Sequence, residues 1–179
     1  MVKVSYFAVD VDGTLTDAKT RLELNAIDMV RRLESHGYKV ILTSAQNFYA
    51  LATLSKYIGT CGILVSENGG VIGRGNKITE IIGNKERSQT ALEILRRELG
   101  TKVRQKSSLP RLADIVLDRT FDHNLGNIIL RREKLNARIF DSGFAYHLLS
   151  NGVDKGAGFS RAAELSISNA KKSWPSGTV

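Results

Sequence analysis

The apolar and polar positions of the chain alternate in blocks that predict short buried strands separated by amphipathic helices. Three apolar runs are typical of buried parallel strands: 2–11, 38–43 and 62–66. Between them, Asn25 is a suitable N-cap for a helix that ends at Gly37, and a second helix is expected over 47–58. Strands that alternate with helices through short connections predict an α/β fold with a doubly wound parallel sheet. Ligands of such sheets bind beyond the carboxyl ends of the strands.

The pattern changes in the second half of the chain, which predicts a smaller inserted domain. A hairpin is expected over 71–82 and an amphipathic helix over 85–99. Short strand candidates separated by polar turns follow at 112–117, 126–130, 137–140 and 144–149, and Asp141-Ser-Gly143 is typical of a hairpin turn. We therefore predict a small α+β cap domain at 84–150, inserted into a core domain made of 1–83 and 151–179.

Composition narrows the class of protein. The 179 residues are 42% hydrophobic and 25% charged, as in ordinary globular proteins. Cys61 is the single cysteine, so neither a disulfide framework nor a cysteine-based zinc site is expected. No apolar run approaches the roughly 20 residues of a membrane helix, and the N-terminus enters a strand too directly for a signal peptide. We therefore expect a cytoplasmic protein without membrane contact.

The formal net charge of +8 invites a nucleic-acid interpretation, because clustered Lys and Arg bind phosphates. Most of the excess lies in residues 84–150, which hold thirteen Lys/Arg against eight Asp/Glu. Such a segment is compatible with steering of a small anionic substrate, and equally with a solvated face. We do not expect a nucleic-acid partner.

Two aspartates, Asp10 and Asp12, close the first apolar run. Residues i and i+2 of an extended chain share a side, so both carboxylates can address one pocket, and Gly13 lets the backbone turn away after them. In this arrangement Asp10 can attack phosphorus while Asp12 donates and accepts protons. A simple turn of Asp, Gly and Thr is the alternative. Two acids that close an apolar strand before Thr14 and Thr16 favour the catalytic interpretation.

The segment Asp10-Val-Asp-Gly-Thr-Leu-Thr-Asp17 resembles the first motif of the haloacid dehalogenase (HAD) superfamily. The resemblance implies that Asp10 is the nucleophile and Asp12 the general acid/base. It also implies that the Asp10 carboxylate and the Asp12 backbone carbonyl bind Mg²⁺, which prefers oxygen ligands. Ser44 matches the residue that hydrogen-bonds the transferring phosphoryl group, and Lys155 in Asn151-Gly-Val-Asp-Lys-Gly156 matches the lysine that balances its charge. The alternatives are a helix N-cap for Ser44 and a solvated loop lysine for Lys155.

Two further segments narrow the resemblance to the archaeal phosphoglycolate phosphatases: Ser66-Glu-Asn-Gly-Gly-Val-Ile72 and Asp141-Ser-Gly-Phe-Ala-Tyr-His147. This resemblance implies a phosphatase that hydrolyses 2-phosphoglycolate to glycolate and phosphate through a phosphoaspartate. Asn68, Arg111 and His147 are the candidates for substrate contact, because a small anionic substrate needs a cation or a hydrogen-bond donor opposite the catalytic aspartates. Their structural alternatives are a turn residue, a surface arginine and a satisfied core histidine.

The C-terminal segment departs from the family pattern. The fourth motif, Gly-Asp followed by another Asp, has no counterpart in 171–179, which holds no Asp or Glu and contains Pro175. One permitted codon choice, read two nucleotides later, encodes Glu-Val-Val-Ala-Val-Gly-Asp-Ser, so our hypothesis for the departure is a frameshift. We expect an incomplete core sheet, one carboxylate fewer for Mg²⁺, and weak or no activity. We also expect an open sheet edge at which a homodimer can form.

Three functions are therefore carried forward from the sequence. The first is hydrolysis of 2-phosphoglycolate, and the second is a sugar-phosphate phosphatase or phosphomutase on the same scaffold, which a substrate panel would separate from the first. The third is a noncatalytic basic binding protein, supported by the missing acidic motif and the charge of +8. Salt-sensitive nucleic-acid binding without phosphate release would favour that third function.

Overall fold

Five strands form the larger of two sheets. The computed structural model describes residues 5–106 and 109–170. The strands of this sheet are β1 (Tyr6–Asp10), β2 (Lys39–Thr43), β3 (Ile63–Ser66), β4 (Val71–Arg74) and β5 (Lys77–Ile81). They lie in the order β1-β2-β3-β4-β5, with β1 to β3 parallel and the β4–β5 hairpin added antiparallel, as expected from its sequence. Asp10 is in register with Thr43, so the carboxyl ends of the parallel strands meet at one edge.

Helices cover both faces of the larger sheet. Helix α1 (Leu24–Ser35) and helix α2 (Phe48–Ile58) pack on the face that carries Val40, Leu42 and Leu64. The alternate residues Ile41, Ile63 and Val65 contact the last helix, α5 (Lys155–Ala170), on the other face. Because side chains alternate between the faces of a strand, each parallel strand supplies both layers of the core. The α/β fold class predicted from the sequence is confirmed.

The ends of the first two helices test the capping predictions. Helix α1 begins two residues earlier than expected, and its N-cap is Glu23 rather than Asn25, since the Glu23 carbonyl already accepts a hydrogen bond from the Ile27 amide at 3.1 Å. Gly37 does end this helix, with a positive φ of 86° that a glycine adopts without strain. Helix α2 is capped by Asn47, whose side chain accepts from the Ala50 amide at 3.1 Å.

The chain between β5 and α5 builds a second, smaller α+β unit. Its elements are α3 (Lys85–Leu99), β6 (Ile115–Leu117), α4 (His123–Arg132), β7 (Ala137–Asp141) and β8 (Tyr146–Ser150). The three strands form an antiparallel sheet in the order β6-β8-β7. Helix α3 spans the residues predicted for it, and the β7–β8 hairpin turns at Gly143, where φ is +83°. Asn84, the N-cap of α3, and Ser150, the end of β8, bound these elements, and the division into a cap at 84–150 and a core stays a prediction.

The strand predicted over 126–130 is wrong, because these residues belong to helix α4. The Asp122 carboxylate caps this helix by accepting a hydrogen bond from the Asn124 amide at 2.8 Å. A Cβ at Gly126 would lie 2.5 Å from Ile139 Cδ1, so the glycine lets the helix approach β7 closely. The neighbouring isoleucines favour strands intrinsically, but burial of Ile129 and Leu130 against the sheet overrides that preference.

The smaller sheet turns one face toward the larger domain. Its other face carries Ile115, Leu117, Ala137, Ile139, Tyr146 and Leu148, which form a separate core with α3 and α4. The alternate residues Arg138, Phe140, His147 and Leu149 lie on the opposite face. This face lies close to the carboxyl ends of the parallel strands, because Arg138 donates a hydrogen bond to the Val153 carbonyl just before α5. The expected departure from the family pattern at 171–179 falls outside the described residues.

Candidate active site

Asp10 and Lys155 form an accessible ion pair at the edge where the parallel strands end. Asp10 is the last residue of β1, and Lys155 is the first residue of α5. Lys155 Nζ donates to Asp10 Oδ1 at 2.7 Å, and the Val11 amide donates to the same oxygen at 2.9 Å. The two side chains remain 36% and 38% exposed, so a ligand can reach both. The alternative of a solvated loop lysine is wrong, because Lys155 begins a helix and is paired.

A close backbone contact holds Lys155 in place. Gly69, in the turn after β3, has a φ of +100°, and a Cβ on it would lie 1.9 Å from the Asp154 carbonyl oxygen. Gly158 on α5 meets the same turn, since a Cβ there would lie 2.8 Å from Gly69 Cα. Side chains at these positions would therefore push α5 away from the sheet. The two glycines fix the start of α5, and with it Lys155, against the end of β3.

Asp12 lies in the turn that follows β1. Val11 is buried, Asp12 is exposed, and Gly13 has a φ of +80°, which explains the glycine at this position. The Gly13 amide donates to Thr16 Oγ1 at 3.0 Å. The Asp12 carbonyl accepts no hydrogen bond from the described residues. The segment therefore forms the simple turn that was the alternative interpretation. The same turn presents the Asp12 carboxylate two residues after Asp10.

Ser44 follows β2 directly and is fully buried. Its amide donates to the Val65 carbonyl at 3.0 Å, so the residue still pairs with β3, and its Oγ accepts from the Gln46 amide at 3.0 Å. The alternative of a helix N-cap is wrong, because Asn47 caps α2. Ser44 lies at the edge of the sheet that Asp10 also occupies, one strand away.

The three candidates for substrate contact converge on one carboxylate, that of Asp114. His147 Nδ1 lies 2.9 Å from Asp114 Oδ2, and Arg111 Nη2 donates to that oxygen at 3.0 Å while Arg111 Nε is bonded to Oδ1. Asn68 Nδ2 donates to Asp114 Oδ2 at 3.5 Å. A further hydrogen bond of 2.6 Å runs from Arg111 Nη2 to the Ala45 carbonyl and ties the smaller unit to the loop after β2. The Arg111 and His147 side chains are therefore committed to a buried network.

Asp114 was missed at the level of sequence, although a signal for it exists. It interrupts an apolar segment just before β6, and an acid in such a segment is buried only when it is paired. Burial raises the pKa of Asp114, but the hydrogen bonds from His147 and Arg111 more than offset this, so the pKa lies below its ordinary value of 3.8. Asp114 is thus ionised and fully satisfied at neutral pH.

Glu67, which follows β3, faces the smaller unit rather than Asp10. Its carboxylate accepts hydrogen bonds from the Leu112 amide at 2.9 Å and the Ala113 amide at 2.8 Å. Burial raises the pKa of Glu67 above its ordinary value of 4.5, with the nearby charge of Asp114 adding to the rise. Glu67 therefore holds the segment before β6 in place.

A cavity of about 360 Å³ lies beside the ion pair. Lys155 and Asn68 line it from the larger domain, and Arg138, Phe140 and Leu149 line it from the smaller sheet. The cavity is therefore bounded by both units and adjoins the Asp10 carboxylate through Lys155. Its size suits a small molecule, and its lining combines apolar walls with a few polar groups, as is typical of ligand sites.

The oxygens near Asp10 are suitable ligands for Mg²⁺, although few of them come from the protein. The Asp10 carboxylate and the unpaired Asp12 carbonyl are hard oxygen donors, and Mg²⁺ commonly retains several waters beside one or two protein ligands. Within the described residues, no cluster of three or more His, Cys, Asp or Glu side chains is arranged to hold a metal. The donor set therefore fits Mg²⁺ with two protein oxygens and water.

Comparison with known proteins identifies the family. The family model described as haloacid dehalogenase-like hydrolase matches residues 7–104, which include β1, the Asp10–Asp12 segment and Ser44. The chain belongs to this family, as the first motif predicted. None of the helices in 5–106 and 109–170 has both the length and the apolar character needed to cross a membrane.

The relatives extend the similarity over most of the chain. A protein from Nitrosopumilus maritimus named phosphoglycolate phosphatase is 37% identical over 88% of this chain and 68% of the relative. One of the same name from Methanoculleus marisnigri is 36% identical over 82% of this chain and 64% of the relative. A crystal structure from Thermoplasma acidophilum, 26% identical, superposes with a TM-score of 0.78 over 92% of this chain and 72% of that one. The family and these relatives show that the chain is a phosphoric monoester hydrolase by class. The chain spans about two thirds of the length of its curated relatives.

Proposed function

We propose that the chain hydrolyses 2-phosphoglycolate to glycolate and phosphate, with Asp10 as the nucleophile. The observation that carries the proposal is the 2.7 Å contact of Lys155 with Asp10, at the carboxyl ends of parallel strands and beside a cavity of small-molecule size. Asp10 and Lys155 are 145 positions apart in the chain, and the fold brings them together there. The relatives named phosphoglycolate phosphatase support the choice of substrate.

The proposed reaction has two steps. An Asp10 carboxylate oxygen attacks phosphorus and forms an acyl phosphate, while the bond from phosphorus to the glycolate oxygen breaks and Asp12 donates a proton to that oxygen. Asp12 then removes a proton from water, which attacks the acyl phosphate and releases phosphate and free Asp10. Lys155 balances the negative charge of the nucleophile and the phosphoryl group throughout.

Mg²⁺ is the proposed cofactor, held by the Asp10 carboxylate and the Asp12 backbone carbonyl. When bound, it would neutralise charge on the phosphoryl oxygens. Ser44 is proposed to hydrogen-bond the phosphoryl group, and its position beside the strand that bears Asp10 supports this role. Asn68 is proposed to face the substrate from the cavity wall, while Arg111 and His147 act through Asp114 by holding the smaller unit in position.

The test is phosphate release from 2-phosphoglycolate, with and without Mg²⁺. The wild type is expected to show release that depends on Mg²⁺. Asp10→Asn is expected to abolish the release, and Asp28→Asn, an exposed aspartate paired with Arg32 on α1, is the matched control. Release that persists in Asp10→Asn would contradict the proposal. Glucose 6-phosphate in the same assay separates this function from that of a sugar-phosphate phosphatase.

We also infer a reducing, cytoplasmic setting from the single Cys61, whose thiol is free and partly buried. Burial raises the pKa of the Cys61 thiol, which makes it a poor nucleophile.

The homodimer expected from the open sheet edge stays a prediction. Its support is that β1 is an edge strand among the described residues. Size-exclusion chromatography with light scattering tests it directly.

A further inference from the structure

The cavity beside Lys155 is lined by two residues that each hold a buried polar atom without a hydrogen-bond partner. Among the described residues, Asn68 Oδ1 and Arg138 Nε are the buried side-chain nitrogen or oxygen atoms that have no hydrogen-bond partner. Both residues line the 360 Å³ cavity. Buried polar groups in folded proteins are almost always paired, because an unpaired one keeps its full desolvation penalty. The presence of both residues at one cavity, together with the unused donor of Arg138, indicates a ligand with hydrogen-bond acceptors.

The Arg138 guanidinium is aimed at this cavity by the strand on which it lies. It pairs with Leu149 across β7 and β8, and it shares a face with Phe140, so all three residues line the cavity. Arg138 Nη2 donates to the Val153 carbonyl at 2.8 Å, which anchors one end of the guanidinium. Nε is left without an acceptor. The side chain is therefore held at the cavity with part of its hydrogen-bonding capacity unused.

The charges around the cavity favour an anionic ligand at Arg138. Lys155 is already paired with Asp10, and the Asp154 carboxylate accepts a hydrogen bond from the Ala157 amide at 2.8 Å at the start of α5. Arg138 is paired with no carboxylate in the described part of the chain. A partly buried guanidinium without a counter-charge binds carboxylates well, since its planar N–H groups match their geometry.

We propose that Arg138 selects substrates that carry a carboxylate in addition to the phosphoryl group. The inference rests on the proposed function, since Asp10 and Lys155 hold the phosphoryl end and Arg138 lines the same cavity from the smaller sheet. Phe140 and Leu149 add an apolar lining, which suits a short carbon chain. The site therefore distinguishes a phosphorylated hydroxy acid from a sugar phosphate that lacks a carboxylate by one arginine.

The test compares two substrates that differ only at the proposed contact. These are 2-phosphoglycolate and 2-hydroxyethyl phosphate, in which a hydroxymethyl group replaces the carboxylate. Arg138→Met is expected to lower kcat/KM for 2-phosphoglycolate by about 10- to 100-fold, as for loss of a charged hydrogen bond, and to change that for 2-hydroxyethyl phosphate by less than about 3-fold. Arg138→Lys, which keeps the charge, is expected to retain part of the preference, and Arg32→Met on the exposed face of α1 is the control.

A binding measurement separates this inference from the proposed function. In an Asp10→Asn background, calorimetry gives Kd values for 2-phosphoglycolate and for inorganic phosphate with and without Arg138→Met. We expect Arg138→Met to raise the Kd for 2-phosphoglycolate by at least about 10-fold and to leave the Kd for inorganic phosphate unchanged. Binding that depends on Arg138, without phosphate release by the wild type, would sustain the inference and refute the proposed function. Release that is insensitive to Arg138→Met, equal losses for both substrates, or no binding of 2-phosphoglycolate would each overturn the inference.

Discussion

Two carboxylates lie where the smaller unit meets the ends of the parallel strands, and they differ in almost every physical respect. Asp10 is partly exposed, and its one side-chain partner in the described part of the chain is Lys155. Asp114 is fully buried and is bonded to Arg111, His147 and Asn68. A ligand can compete for Lys155 at the Asp10 site, since both groups reach solvent. No ligand can compete at Asp114 without first breaking several bonds in a buried environment.

The difference in burial distinguishes a carboxylate suited to reaction, Asp10, from one that stabilises the fold, Asp114. An accessible pair is a weak contributor to stability, because solvent screens it, and so its residues can be retained for reactivity. A buried, fully bonded carboxylate has the opposite character, since each partner removed leaves an uncompensated charge. Substitution of Asp10 should therefore lower activity, and substitution of Asp114 should lower the free energy of unfolding. The predictions below test this separation, from the largest expected effect to the smallest.

Asp114→Ala is expected to destabilise the protein by about 3–5 kcal/mol, because it leaves the buried Arg111 guanidinium without its counter-charge. Urea unfolding followed by circular dichroism measures this change. The matched control is Asp28→Ala, which removes an exposed pair with Arg32 and should cost less than about 1 kcal/mol. Equal losses in the two variants would show that the buried network does not stabilise the fold.

Lys155→Met should show the reverse pattern. Loss of a cation at the reacting group is expected to lower phosphate release by about 10²- to 10³-fold. The Lys155 and Asp10 side chains are both more than one third exposed, so the free energy of unfolding should fall by no more than about 1 kcal/mol. Phosphate release and urea unfolding on the same preparations give both numbers. A large loss of stability with unchanged release would reverse the roles assigned to the two carboxylates.

Much of the larger domain and of the Asp10 site could be predicted from the sequence, because the signals there are local. The apolar runs that end at Asp10 and at Ser44 indicate parallel strands directly, and the order of strands then brings the two residues to one edge. The elements of the smaller unit were harder to predict from the sequence. The helix over 126–130 depends on Gly126 packing against Ile139, which no local pattern reveals.

The Asp114 network illustrates the same limit within the site. Asn68, Arg111 and His147 could each be singled out as polar residues in suggestive places, but their common partner could not. Asp114 is 46 residues from Asn68 and 33 from His147, and the contacts exist only once the smaller sheet folds over the larger one. Arg138 was missed for a similar reason, since its significance lies in an unpaired nitrogen at a cavity rather than in a motif.

Gly69→Ala should affect both regions at once, since Gly69 follows Asn68 in the chain and touches the residue before Lys155. A Cβ would overlap the Asp154 carbonyl, and its φ of +100° is unfavourable for alanine, so a loss of about 1–3 kcal/mol is expected. Because α5 must shift, phosphate release should fall as well. Gly37→Ala is the control, with a φ of +86° but open space around it. If both variants lose the same stability and neither loses release, the contact with Asp154 does not position Lys155.

The smallest expected effect is a pH dependence of opposite sign at Asp114 and Glu67. The pKa of Asp114 is lowered in the folded state, so its contribution to stability is present above about 3.8 and is lost as the pH falls through the folded pKa. The pKa of Glu67 is raised by burial, so ionised Glu67 costs stability, and this cost grows as the pH rises from about 4.5 through the folded pKa.

Urea unfolding of the wild type, Asp114→Asn and Glu67→Gln across this acidic range separates the two contributions. The stability advantage of the wild type over Asp114→Asn should shrink on acidification, whereas its stability relative to Glu67→Gln should improve. Each slope is limited to about 1.4 kcal/mol per pH unit, since one proton is involved. Curves that run parallel for all three proteins would mean that neither carboxylate changes its proton affinity on folding. The buried network would then owe its stability to packing rather than to charge.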